Sequence, residues 1–446
     1  MCCGVGFLLR KDKMNNDEVA ARALFDQALT EYRTGRMREA LELYLEAKAI
    51  FFRIGLELKV ADCDMNIGFS LWSLGEPKQA IEHYEQARDV YIRLNLEKDK
   101  AVCDFLIGIE LDRLGQSLAA INRFKRAKAV YLRLGFEREV AYCDQGIGVA
   151  LNAFGQPQQA MEHYERAKEI FQRLGLEKEV ADCETNIGSV YVKFMQLRQA
   201  IERFEQARDV YARLGMEKGV ADCDANIGVA LNDLGQPQQA IAHHEQAKAV
   251  YLRLGSEKGV ADCDTNIGTA LLMLAQPREA IVQYEQAREL YVRAGLEKAV
   301  ADCDANIGVA LNDLGPSQQA IDCYEQAKKI YLCFGLEVEA AGRDMNIGVA
   351  LKNLGQIRRA IERFEQAKEV YKRLGLEREV ADCDTNIAAA LRELGKPRQA
   401  IVQYERARGV CLRLGLEKEV AGCDMGSGNS LCNLSQPQQG AIRLFS

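Results

Sequence analysis

Carboxylates recur along this chain at a constant interval of forty residues: Asp64, Asp104, Asp144, Glu184, Asp224, Asp264, Asp304, Asp344, Asp384 and Asp424. Sixteen residues before each stands a base: Lys48, Arg88, Lys128, Lys168, Arg208, Lys248, Arg288, Lys328, Lys368 and Arg408. One such pair could serve acid–base chemistry, but ten copies spread along a chain describe a ladder of ion pairs. A second file is made of amides, Asn186, Asn226, Asn266, Asn306, Asn346 and Asn386, with Asn66 as an outlier. An Asn side chain both donates and accepts, so this file is a candidate binding surface. Asp182, Asp222, Asp262, Asp302 and Asp382 stand four residues before asparagines of the file, and Asn232, Asp233, Asn312 and Asp313 follow six or seven residues after two of them.

Other chemistry-bearing residues do not converge. His83, His163 and His243 share one repeat position, forty or eighty residues apart and too distant for joint metal ligation, and His244 is adjacent to the last. No GxxxxGK[ST] occurs, and Gly146-Ile147-Gly148 falls inside a helical pattern instead of a phosphate-cradling loop. No Ser/His/Asp or Cys/His/Asn set gathers at one place. The expectation is a non-catalytic chain without metal or cofactor.

The elements that position these files follow from the period. Alanine falls on every multiple of forty from Ala40 to Ala400 and again seven residues later, from Ala47 to Ala407. An aromatic lies between them at Tyr44, Tyr84, Phe124, Tyr164, Phe204, Tyr284, Tyr324, Phe364 and Tyr404, with His244 the exception. Offsets of four and seven place all three on one helical face. The other half of the unit carries Cys223, Ile227, Gly228, Leu231 and Leu234 and their equivalents, a second helix with a narrow apolar stripe. Glycines such as Gly75, Gly115 and Gly235 end the first helix, Pro77, Pro157, Pro237, Pro277 and Pro397 begin the second, and Gly135, Gly175 or Gly215 ends that one. Each unit is therefore a hairpin of two helices of about 17 residues, and hairpins must stack to bury their stripes. The predicted organisation is a tail at 1–16, ten repeats over 17–415 and a degenerate eleventh over 416–446.

Composition agrees. The chain is 446 residues long, rich in helix formers, with seven prolines and a net charge of −7. That balance argues against a nucleic-acid partner. No apolar run approaches the length of a membrane span. Cys63, Cys103, Cys143, Cys183, Cys223, Cys263, Cys303, Cys383 and Cys423 sit one per unit, too far apart in a stack to form disulfides, which points to a reducing, cytoplasmic setting.

Ile227-Gly228, Leu231, Ala240, His244 and Ala247, like Ile67-Gly68, Leu71, Ala80, Tyr84 and Ala87, resemble the tetratricopeptide repeat signature. The forty-residue version is similar to repeats of spindle-orientation adaptors and kinesin light chains, although an Asp stands where the family often has a large aromatic. The resemblance implies an all-α, right-handed superhelical solenoid of stacked antiparallel helix hairpins. It also implies that the first helices line a concave groove in which the asparagines hydrogen-bond the backbone of an extended ligand. With the aspartates beside them the groove is negative, so the expected partner is a basic extended peptide. The competing expectation is an assembly module that self-associates through its ends or convex face.

Four local features carry further expectations. Phe69, Trp72, Phe105 and Ile109 form an apolar patch that either anchors a ligand side chain or packs against the N-terminal tail. Cys333 replaces a recurring arginine that points outward, and Arg343 replaces the recurring cysteine, so Arg343 needs a local acid, Asp344 or Asp304. Cys2 and Cys3, beside Phe7-Leu8-Leu9 and Arg10, Lys11 and Lys13, resemble a dual-palmitoylation anchor; an unmodified, disordered tail is the plainer reading. In the eleventh unit Gly426, Ser427 and a displaced Gly440 predict poor packing and fraying, without a polar closing helix.

Overall fold

The structure, a computed structural model, describes the backbone from Cys2 to Ser435 and side chains from Asn16 to Leu434. The side chains of Cys2 and Cys3, and Gly440, lie outside the described residues. Among the described residues there are 21 helices and no strand. In chain order they begin with α1 (Cys2–Arg33), α2 (Met37–Arg53), α3 (Glu57–Ser73), α4 (Pro77–Arg93), α5 (Glu97–Arg113), α6 (Ser117–Leu134) and α7 (Glu137–Ala153). Then come α8 (Pro157–Arg173), α9 (Glu177–Lys193), α10 (Leu197–Arg213), α11 (Glu217–Asp233), α12 (Pro237–Arg253), α13 (Glu257–Met273) and α14 (Pro277–Arg293). The last are α15 (Glu297–Leu314), α16 (Ser317–Cys333), α17 (Glu337–Asn353), α18 (Ile357–Arg373), α19 (Glu377–Glu393), α20 (Pro397–Arg413) and α21 (Glu417–Ser435). The chain divides into two compact units, Met1–Cys223 and Asp224–Ser446, and each is an α-solenoid of stacked antiparallel hairpins.

Three-residue links set the hairpin geometry. After α12 the chain passes Leu254, Gly255 and Ser256; Gly255 N donates to Leu252 O at 3.2 Å and Ser256 N to Tyr251 O at 2.9 Å. This double closure requires the left-handed conformation, and Gly255 adopts it with φ of 66°. Proline opens α4, α8, α12, α14 and α20, where its missing N–H costs no helical bond.

Within a hairpin the recurring glycine of the first helix receives the aromatic ring of the second. A Cβ at Gly308 would lie 2.6 Å from Tyr324 Cε1, so any side chain there would displace the ring. Between hairpins, the recurring cysteine fills the seam: Cys183 packs with Ala141, Ala167 and Phe171, and Cys383 with Ala341, Ala367 and Tyr371. Burial, then the neighbouring aspartates, pushes Cys183 and Cys383 thiols up to about 12, so they stay protonated and act as small apolar groups.

The carboxylate ladder closes these seams. Lys48 and Asp64 stand 2.6 Å apart, Arg88 and Asp104 2.9 Å, Lys128 and Asp144 2.6 Å, and Lys168 and Glu184 3.3 Å. In the second unit Arg288 and Asp304 are 2.5 Å apart, Lys328 and Asp344 2.7 Å, Lys368 and Asp384 2.6 Å, and Arg408 and Asp424 2.6 Å, and Lys248 pairs with Asp264. Except for the exposed Asp424, these carboxylates are buried, and each base comes from the preceding hairpin, so the pairs fix hairpin-to-hairpin register.

One local expectation needs correction. Arg343 has no carboxylate within ion-pair distance among the described residues; its guanidinium lies over the Tyr331 ring, 5.9 Å from the centroid, and its Nε is buried without a partner. Asp344 is already engaged by Lys328 and Arg363, which is why it does not serve Arg343. In the apolar patch Phe69 stacks edge-on against Tyr84 and Phe105 packs at a tilt on Phe124, while Trp72 remains 43% exposed with the Arg113 guanidinium 5.8 Å from its ring. The helix of the eleventh unit, α21, does form, and it buries Cys423 against Ala407 and Cys411.

Candidate functional site

The open face of the first helices is built by what the seams leave over. In α13, for example, Ala261, Cys263, Asp264, Ile267 and Gly268 are buried, and Asp262 and Asn266 project from the remaining arc. All six asparagines of the file are half-buried. Asn386 donates to its own helix at Asp382 O (2.9 Å), as Asn66 does to Asp62 O (2.7 Å). The amides of Asn186, Asn226, Asn266, Asn306 and Asn346 make no hydrogen bond among the described residues, which leaves their donors and acceptors available.

The aspartates of the face are not free charges. Tyr211 Oη donates to Asp182 Oδ1 at 2.6 Å, Tyr291 to Asp262 at 2.6 Å and Tyr331 to Asp302 at 2.6 Å. A lysine one turn earlier takes the second oxygen: Lys178 at 2.7 Å from Asp182, Lys218 at 2.8 Å from Asp222, Lys258 at 2.7 Å from Asp262 and Lys298 at 3.0 Å from Asp302. Burial, and then the bond to the carboxylate, pushes the Tyr211 and Tyr291 phenols well above their ordinary value, so they remain donors. The negative potential expected from these aspartates is thus offset on the spot. Asp382 is exposed, and Cys411 stands where the phenol would be.

At the helix ends the predicted residues separate. Asn232 is only 7% exposed and donates to Asn266 O at 3.4 Å, so it braces the next hairpin and does not extend the surface. Asn312 Oδ1 accepts from Ser317 Oγ at 3.3 Å and from Asn353 Nδ2 at 3.2 Å, again a contact to the following first helix. Asp233 and Asp313 are exposed and form no ion pair among the described residues. In the first unit Asp182, Asn186 and Asp222 line one pocket of 300 Å³ with Gln145, Thr185 and Tyr211.

One layer of polar chemistry lay beyond the sequence reading. Several ladder carboxylates take a second partner nineteen residues later, on the second helix of their own hairpin. His83 Nδ1 lies 2.6 Å from Asp64 and His163 Nδ1 2.7 Å from Asp144, while Arg123 donates to Asp104 at 2.8 Å and Arg363 to Asp344 at 3.0 Å. The histidine file is therefore part of the seam. The constant offset of nineteen was available in the sequence, but the partner alternates among His, Arg, Gln and Cys, which hides it from a search for one residue type.

At Asp144, Asp264 and Asp304 the balance of burial against donors sets the sign of the carboxyl shift. Burial pushes Asp144 up, but hydrogen bonds from His163 and Lys128 outweigh it and hold the group below its ordinary value. Burial dominates at Asp264 and Asp304, which have only Lys248 and Arg288, and both are raised.

Comparisons with known proteins follow the same geometry. Tetratricopeptide repeat families match residues 60–133, 138–213 and 221–291 and, in a second form, residues 7–51. The soluble NSF attachment protein family matches residues 311–419. No curated protein matches the chain by sequence. Similar solved structures include a signal transduction ATPase with a tetratricopeptide repeat sensor from Pyrococcus horikoshii, with TM-score 0.61 at 11% identity over 81% of this chain and 55% of that one. The apo quorum sensor NprR from B. thuringiensis gives 0.57 at 15% identity over 76% of this chain and 97% of its own. A Rap protein complexed with Competence and Sporulation Factor gives 0.53 at 16% identity over 80% and 98%. These likenesses concern the fold, whereas the matched repeats cover more than half of the sequence, and the chain belongs to the tetratricopeptide repeat family.

Proposed function

We propose that this chain is a non-catalytic, cytoplasmic interaction scaffold that holds an extended peptide segment along the open face of its first helices. The observation that carries this reading is the run of half-buried asparagines in the second unit, Asn226, Asn266, Asn306 and Asn346, whose amides have no partner among the described residues. Half-buried amides at constant pitch can each meet one N–H and one C=O of a strand-like ligand. The repeat family supports the reading, as does a structure of the same fold solved with Competence and Sporulation Factor. Because Asp182, Asp222, Asp262 and Asp302 are compensated by lysines, basic ligand side chains would be drawn to Asp233 and Asp313, where the negative helix terminus adds to the charge, and to the exposed Asp382. Among the described residues no helix is long and apolar enough to cross a membrane.

The test is a triple replacement, Asn226→Ala, Asn266→Ala and Asn306→Ala. Capture of a partner from extract should be lost while the melting temperature stays within a few degrees of the parent; undiminished capture would refute the groove. A second reading, self-association, is favoured by an exposed apolar file at the ends of the second helices, where Leu252, Val292 and Leu332 are 60%, 55% and 53% exposed. Light scattering separates the two, since a strict monomer at tens of micromolar excludes assembly through that file.

A further inference from the structure

One repeat of the second unit breaks the phenol–carboxylate–lysine pattern in three places at once. At the position of Asp262 and Asp302 it has Gly342, at the position of Lys258 and Lys298 it has Val338, and the recurring cysteine is Arg343. The phenol is retained. Tyr371 occupies the place of Tyr291 and Tyr331, which donate to Asp262 and Asp302 at 2.6 Å, yet its hydroxyl has no hydrogen-bond partner among the described residues. A Cβ added at Gly342 would meet only the Tyr371 hydroxyl oxygen, at 3.6 Å, so the volume filled by the Asp side chain elsewhere is open. Beside it stands Arg343, half-buried, without a carboxylate and with its Nε unsatisfied.

A missing acceptor and an open volume therefore meet between Gly342 and Tyr371, and Arg343, next in sequence and seated over Tyr331, is near enough to act electrostatically on the Tyr371 phenol. The loss of the acid alone does not create this arrangement: in the first unit Val102 replaces the Asp facing Tyr131, but a side chain is retained at that position and Cys103 remains. We propose that the notch formed by Gly342, Arg343 and Tyr371 receives a carboxylate from the bound partner. That carboxylate would stand where the Asp side chain stands in the neighbouring repeats, accepting from Tyr371 Oη and pairing with the Arg343 guanidinium. Access is adequate, because the side chains of Asp182, Asp262 and Asp302 at equivalent positions are 30%, 45% and 43% exposed. Glu379 and Asp344 act on Tyr371 from nearby and lower the notch's positive potential, so recognition depends on the Arg343 fork and the phenol together. The inference rests on the reading of this face as a docking surface, but its test needs no partner protein.

The probes are N-acetyl-aspartate amide, which offers a side-chain carboxylate, and N-acetylglycine, which offers a terminal one, with N-acetyl-asparagine amide as the uncharged control. At constant ionic strength a carboxylate probe should raise the melting temperature of the full chain saturably, with a dissociation constant on the order of 1–10 mM. The more effective probe identifies the source of the carboxylate. Gly342→Asp should raise the melting temperature without probe and abolish the response, and Arg343→Cys should abolish the response alone. A response equal for the asparagine control, or unchanged in Gly342→Asp, would overturn the assignment, as would no response at 100-fold excess. The asparagine triple variant should keep the response, so failure here and failure of the groove are distinguishable.

Discussion

His244 is fully buried against Gly228, and neither ring nitrogen has a partner among the described residues. Burial, and then the neighbouring His243, lowers it from 6.5 to about 4. The unfolded chain takes up this proton near pH 6.5 and the folded chain only near pH 4, so stability contributed by the neutral ring is lost as pH falls through that window. The loss amounts to about 3 kcal/mol when complete. His244→Phe, which restores the ring type of Phe204 and Phe364, should raise stability at neutral pH and flatten the decline between pH 6.5 and 4 in denaturant titrations; an unchanged slope would show that other groups control it. Gln283 offers the converse case. It stands nineteen residues after Asp264, where Arg123, Arg203 and Arg363 serve their acids, and its Oε1 is buried without a partner. Gln283→Arg should supply the second donor and stabilise the chain by about 1 kcal/mol at pH 7. Since Asp264 is raised, its burden is present above its folded value and vanishes as it protonates, so the gain should shrink on acidification. The ladder was legible in the sequence because each acid has a base at one constant offset; the second donor was not, because its residue type varies.

Helix ends tell the same story at the scale of elements. Every link needs one left-handed residue, and most carry glycine there, which made hairpin boundaries readable. Asn95, Met195 and Ala275 occupy that position without glycine, at φ of 58°, 55° and 56°. A left-handed non-glycine residue costs about 1–2 kcal/mol. Asn tolerates the region, but Met195 and Ala275 have no compensating side-chain bond, and both are exposed, so little burial is lost on truncation. Ala275→Gly and Met195→Gly should each stabilise by about 1 kcal/mol, read as a higher denaturant midpoint with unchanged slope. The sequence pattern alone could have placed those links through proline at Pro277, yet nothing in the letters shows that the turn conformation persists when its favoured residue is gone. Asn232 is instructive for a related reason. Its position near a helix end suggested a surface continuing outward, but the following first helix packs over it, and that contact is set by hairpin stacking and not by the periodicity of one helix.

On the scale of the whole chain, an array in which each hairpin touches its neighbours should respond to damage locally. The candidate surface was legible as a set of positions, since half-exposed asparagines recur at forty. Its charge was not, because neutralisation comes from Lys258 one turn away and Tyr291 twenty-nine residues on, a relation that needs the folded hairpin. The ladder provides the cleanest test of locality. Among the described residues Asp304 is paired only with Arg288, and the residue nineteen positions on is Cys323, which supplies no cation. Arg288→Met would leave a buried carboxylate that already favours protonation, at a cost of about 2 kcal/mol near neutral pH. Hydrogen exchange of the full chain should then quicken across α14, α15 and α16 and remain at parent rates in α19 and α20 of the same unit. The difference should fade on acidification, because burial raises Asp304 above its ordinary value and, once protonated, it no longer needs its partner. Uniform acceleration over all helices of that unit would mean that the repeats unfold as one block and that seam ion pairs set global, not neighbour-to-neighbour, stability.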